Sequence, residues 1–68
     1  MDDDAMLTDE QVAKLLNVTV MRLRTWRWRG QGPVYHRFGR TPRYRYGDII
    51  AFRDAARREP LAKAGRQS

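Results

Sequence analysis

The sequence predicts a mainly α domain of three short helices, with a two-stranded β-hairpin between the second and the third. Three observations carry that reading. Helix-start signals occur twice in close succession, at Thr8 and at Thr19. The pattern then changes to short alternating aromatic and basic runs on either side of Gly39-Arg40-Thr41-Pro42. From Gly47 the helical period returns, with Ile49, Phe52 and Ala56 at i, i+3 and i+7.

The first helix is predicted over Asp9 to Leu16. Thr8 is placed as N-cap, Gln11 three residues later completes a capping box, and Leu7 and Val12 stand at staple spacing. Asp9 and Glu10 fall in the first turn, where the helix dipole favours acids. Val12, Leu15 and Leu16 form the expected apolar face. Asn17 ends the helix, because asparagine tolerates the left-handed conformation of a tight turn.

Thr19 caps a second helix, predicted from Val20 to about Arg29, with Val18 and Leu23 at staple spacing and Gly30 as the stop. Val20, Leu23 and Trp26 fall on one side of its wheel, which places Trp26 in the core; Met21, Arg22, Arg24, Thr25, Trp28 and Arg29 spread over the other. Two short helices joined through Asn17-Val18-Thr19 fit a helix-turn-helix, whose second helix usually enters the major groove. In the hairpin, Pro42 belongs to the turn or to the first position of the second strand. Arg43 and Arg45 then share one strand face, and Tyr44 and Tyr46 the other. Asp48 belongs in the first turn of the third helix, which is expected to end near Arg58, before Glu59-Pro60.

Sixty-eight residues make one small domain, divided here into an acidic, disordered start (1–6), a folded unit (7–58) and a flexible tail (59–68). With no cysteine and one histidine, His36, thiolate metal sites and triad chemistry are not expected, nor is a cofactor. The chain is expected to be a cytoplasmic non-enzyme: it has no apolar run of membrane length and no basic leader.

Charge is segregated along the chain. Residues 1–12 carry five acids and no base, whereas residues 13–46 carry nine bases and no acid, within a net charge of +6. Soluble surfaces usually intersperse the signs, so an uninterrupted basic centre implies a polyanionic partner. Twelve of the fourteen bases are arginine, whose planar fork suits phosphates and guanine edges. On the second helix Arg22, Arg24 and Arg29, with Thr25 and Met21, are candidate contacts to bases and phosphates. Trp28 lies on the same polar face, open to sugar and base methyls, to the hairpin, or to a neighbouring protomer. In the hairpin Arg37, Arg40, Arg43 and Arg45 suit a wing that follows phosphates and sets Arg40 in the minor groove. At least two of Tyr35, Phe38, Tyr44 and Tyr46 are expected to complete the small core, with a stacking platform for single strands as the alternative. His36 suits a phosphate or surface contact.

Leu7-Thr8-Asp9-Glu10-Gln11-Val12-Ala13-Lys14-Leu15-Leu16-Asn17-Val18-Thr19 is followed by Leu23-Arg24-Thr25-Trp26 and Gly30. Then come Phe38-Gly39-Arg40, Arg43-Tyr44-Arg45, Asp48-Ile49 and Phe52. In order and spacing this series resembles the MerR-related winged-helix domain of phage excisionases and AlpA-type regulators, over about residues 7–54. The resemblance implies a winged helix-turn-helix that binds duplex DNA cooperatively at repeated sites, bends it, and directs a phage integrase toward excision. By position it assigns Met21, Arg22, Arg24, Thr25 and Trp28 to the major groove and Arg40 to the wing. Thr25 and Trp28 depart from the basic residues often found at those positions, so base preference does not transfer. Asn17 replaces the commoner glycine.

An excisionase is therefore the first expectation, and a small prophage transcription regulator with the same reading head the second. A nuclease or recombinase fragment would need gathered carboxylates, yet the acids cluster at the start. A single-strand RNA binder would use the hairpin aromatics. With little core and no a/d seam, a monomer in solution with head-to-tail contacts between protomers on DNA is expected.

Overall fold

The computed structural model describes residues 1–60 as β1 (Met6–Leu7), α1 (Asp9–Leu16), α2 (Val20–Trp28), β2 (His36–Phe38), β3 (Thr41–Arg45) and α3 (Tyr46–Ala55). Three helices thus accompany a three-stranded antiparallel sheet of order β1-β3-β2, one strand more than the expected hairpin. The tail expected from Glu59 onward lies outside the described residues except for Glu59 and Pro60, which are exposed and without regular structure.

Both helix-start signals act as local chemistry dictates. The Gln11 N–H donates to Thr8 Oγ1 at 3.2 Å and the Thr8 N–H to Gln11 Oε1 at 2.9 Å, a complete capping box. The Arg22 N–H donates to Thr19 Oγ1 at 3.0 Å. Both helices also end alike. At the end of α1, Asn17 takes φ 56° and ψ 46°, and the Val18 N–H reaches back to the Ala13 carbonyl. After α2, Gly30 takes φ 69°; its N–H donates to the Arg27 carbonyl, and the Gln31 N–H donates to that of Trp26 at 2.7 Å. A left-handed residue followed by this paired back-bonding is the Schellman arrangement, which satisfies carbonyls otherwise left open.

The core contains Leu7, Val12, Ala13, Leu23, Tyr44 and Ile49, with Leu16, Val18, Val20, Trp26, Tyr35 and Tyr46 packed at its margin. Two apolar expectations shift. Leu15 faces outward, because α1 turns Val12, Ala13 and Leu16 inward instead. Trp26 sits at the core's margin: its ring lies 5.6 Å from that of Phe52 and covers Gly32, where a Cβ would come within 2.8 Å of the tryptophan.

The N-terminal segment, expected to fray, forms the third strand. Leu7 pairs with Tyr44 and Met6 with Arg45. Beyond the strand, the Tyr46 N–H donates to the Ala5 carbonyl at 2.8 Å and the Gly47 N–H to the Asp3 carbonyl at 2.9 Å. The N-terminal residues thereby accept from the first N–H groups of α3, whose N-cap, Arg45, makes no side-chain capping bond.

Pro42 occupies the second position of β3, paired with Arg37, rather than the turn or the strand's first position. The Phe38–Thr41 pair closes a two-residue turn of Gly39 and Arg40. Hydrogen-bonded and non-bonded pairs alternate from there, so the Pro42 nitrogen points away from β2 and no ladder bond is lost. Gly39 at φ 65°, first in the turn and the sole left-handed residue of the two, matches a type II′ hairpin. α3 starts at Tyr46 and stops at Ala55, short of Arg58. Pro60 can offer no N–H to the Ala56 carbonyl, and it disfavours helical geometry at Glu59. Among the described residues no helix is long and apolar enough to cross a membrane.

One ion pair ties the elements together. Arg27 of α2 donates both terminal nitrogens to the Asp9 carboxylate, at 2.6 and 3.2 Å, and also donates to the Tyr44 hydroxyl of β3 at 2.8 Å. The two charged side chains are only 13% and 11% exposed. Replacing Asp9 by Asn should cost about 3 kcal/mol, the lower end for breaking a largely buried pair. In an Arg27→Met background the same change should cost far less by urea unfolding; equal costs in both backgrounds would show that the pair is not coupled.

Candidate nucleic-acid interface

α2 presents two different surfaces. Leu23 is buried and Arg27 is turned inward by Asp9 and Tyr44, which fixes the rotation of the helix about its axis. The 100° period then brings Met21, Arg24, Thr25 and Trp28 into one outward stripe, with Arg22 and Arg29 side by side along its edge. Met21 is 66% and Trp28 86% exposed. Arg22, Arg24 and Arg29 are exposed too, and Thr25 is half-buried. No carboxylate pairs with Arg22, Arg24 or Arg29 among the described residues; Arg22 instead lies over the Trp26 ring, 5.9 Å from its centroid. With Trp28 this exposed, packing of its indole on the hairpin drops out of the three options open to it.

The hairpin separates its arginines. Arg40 occupies the exposed turn. Arg37 is exposed and donates to the Tyr35 hydroxyl at 3.4 Å, with its guanidinium 5.8 Å from that ring's centroid. Arg43 is half-buried and donates to the Pro42 carbonyl at 2.8 Å. Neither these two nor Arg40 has a carboxylate partner among the described residues. Arg45 differs. It donates to Asp4 at 3.0 Å and to Asp48 at 3.2 Å, and Asp4 foremost raises its pKa further above the ordinary arginine value. Arg45 therefore serves the junction of β1, β3 and α3, and its charge is already matched within the fold.

Alternation along the strands sets Arg43 and Arg45 on the face opposite Tyr44, as the sequence predicts, while Tyr46 already belongs to α3. Tyr44 enters the core and Tyr35 and Tyr46 lie at its margin, but Phe38 stays outside. Phe38 stacks with His36 at 6.3 Å and an interplanar angle of 8°, opposite Thr41 and Arg43 in the register. This small outward stack is legible in the sequence as aromatic rings at i and i+2 of a strand.

Arg27 is missing from the residues singled out in the sequence, because Asp9 lies 18 positions away. Hydrogen bonding to Asp9 raises its pKa above the ordinary value, against the opposing effect of burial. Among the described residues no three His, Asp or Glu side chains gather as a metal site, and no pocket is present. Comparison with protein families, with curated proteins and with solved structures finds no match to this chain in any of the three.

Burial raises the pKa of the Tyr44 phenol above its ordinary value, and Arg27 offsets this only in part. The unfolded chain therefore releases that proton first, at about pH 10. Stability held by the neutral phenol is complete below about pH 10 and falls as pH rises further. Thermal melts across alkaline pH should show this decline, and Tyr44→Phe should flatten it; an unchanged slope in that variant would assign the decline to other groups.

Proposed function

We propose that this protein binds duplex DNA as an architectural factor of the excisionase type, with α1 and α2 acting as a helix-turn-helix and the β2–β3 hairpin as a wing. The observation that carries this reading is the division of the arginines. Arg27 and Arg45 are matched to carboxylates inside the fold, whereas Arg22, Arg24 and Arg29 on α2 and Arg37, Arg40 and Arg43 on the hairpin are left without one among the described residues. Six such cations on two projecting elements suit a phosphate backbone better than an acidic peptide, since they line a helix and a hairpin of groove-fitting width. In this reading α2 lies in the major groove and Arg40, at the tip of the turn, enters the minor groove.

The sequence resemblance to excisionases and AlpA-type regulators supplies the biological role: cooperative binding at an attachment region, DNA bending, and cooperation with a phage integrase. Neighbouring protomers would then meet head to tail on tandem sites.

With about six phosphates neutralised, log affinity should fall with log salt at a slope near −5. A slope near zero would remove the electrostatic basis of the proposal. Arg40→Ala should weaken binding and reduce the bend while leaving the melting curve unchanged. Titration onto phage attachment-region duplex, with and without integrase, separates the two roles. Stepwise complexes that recruit integrase support the excision role, whereas binding confined to a promoter and indifferent to integrase would make the protein a transcription regulator.

A further inference from the structure

The outward stripe of α2 has an apolar line at its centre, where a DNA-reading helix usually carries hydrogen-bonding groups. Met21 and Trp28 are the two large apolar side chains of α2 that stand exposed, at 66% and 86%, and they lie seven residues apart, on the same face. Half-buried Thr25 lies between them and contributes a methyl group. Arg22 and Arg29 flank this line on one side and Arg24 on the other. Nothing among the described residues packs over the indole, although burying it within the fold would be favourable.

We propose that Met21, Thr25 and Trp28 form a thymine-methyl reader, in which α2 recognises its site through the C5-methyl groups of thymines in the major groove. The proposal rests on the duplex-binding reading and adds the base class. In the major groove, thymine alone presents a methyl group, and apolar side chains are its natural complement. Seven helical residues span about 10.5 Å, close to three base-pair steps of about 3.4 Å. Met21 and Trp28 therefore reach thymines two to three steps apart, on the assumption that the helix runs along the groove. The flanking arginines hold the helix there: Arg22 and Arg29 are aligned toward one phosphate strand and Arg24 toward the other. Charge selects DNA over a protein partner, because Arg22 and Arg24 on α2 and Arg29 at its C-cap face outward and the helix carries no acid.

Two randomised duplex pools, one amplified with thymidine and one with deoxyuridine, differ at those bases only in the C5-methyl. The thymidine pool should yield duplexes with thymines at two positions two to three steps apart. Replacing either thymine in a selected duplex by deoxyuridine should weaken binding about fourfold, the value of one buried methyl. Trp28→Ala should remove that discrimination at one of the two positions and Met21→Ala at the other, while Trp28→Phe retains it. Both side chains are exposed, so the variants should keep the wild-type circular dichroism.

Equal affinity of the wild-type protein for thymine and deoxyuridine duplexes would overturn the proposal while leaving duplex binding intact. Unchanged discrimination in Trp28→Ala, with loss of stepwise complexes, would overturn it too and make Trp28 a contact between protomers. Retention of no duplex from either pool at low salt would defeat the DNA-binding reading itself.

Discussion

The Arg27 guanidinium holds three elements at once. Its two nitrogens bind Asp9 in the first turn of α1, and one of them also binds the Tyr44 hydroxyl in β3. A domain whose core holds six buried apolar residues among the described ones has little dispersion to define how its helices sit. A charged pair that is mostly shielded from water penalises any arrangement that separates it, since either partner alone would be left desolvated. The bond therefore selects one packing as much as it adds stability. Because Arg27 is on α2, it also decides which side of α2 meets solvent.

That consequence links the interior to the surface. Once Leu23 and Arg27 face inward, the helical period leaves Met21, Arg24, Thr25 and Trp28 outside, whatever their own preferences. The fold further divides its basic residues by where the N-terminal acids fall. Asp9 matches Arg27 and Asp4 matches Arg45, so the acidic start and part of the basic centre, far apart in sequence, neutralise each other in space. The remaining arginines of α2 and the hairpin keep their charge available for a partner. Segregation along the chain is thus partly a code for folding, which leaves only part of it for the proposed binding surface.

Features governed by neighbours in sequence were legible from it. The capping box at Thr8, the cap at Thr19, and the left-handed Asn17 and Gly30 each depend on residues within five positions. The apolar period marked Val12, Leu23 and Ile49 as buried for the same reason. What escaped depends on distant pairing. β1 is two residues long and shows no period of its own; it exists because Tyr44 and Arg45 offer it an edge. Trp26 stays at the core's margin, and Arg27 turns inward to a carboxylate 18 residues upstream that no local pattern marks as its partner. In the candidate interface, the outward residues of α2 were identifiable from the wheel, but the withdrawal of Arg45 by Asp4 and Asp48 was not.

The same division explains why so small a core can suit a binding role. A helix presented to a polyanion must keep its rotation when several like charges gather on its outer face. Repulsion among Arg22, Arg24 and Arg29 acts through water and is screened over about 10 Å at 0.1 M salt. The pair at Arg27 acts inside the fold, at contact distance and largely out of water, so salt weakens it less. In the duplex complex proposed above, salt that loosens the outer arginines from phosphate would therefore leave the orientation of α2 in place. The helix is held by one shielded arginine, which leaves its exposed ones unengaged within the described fold.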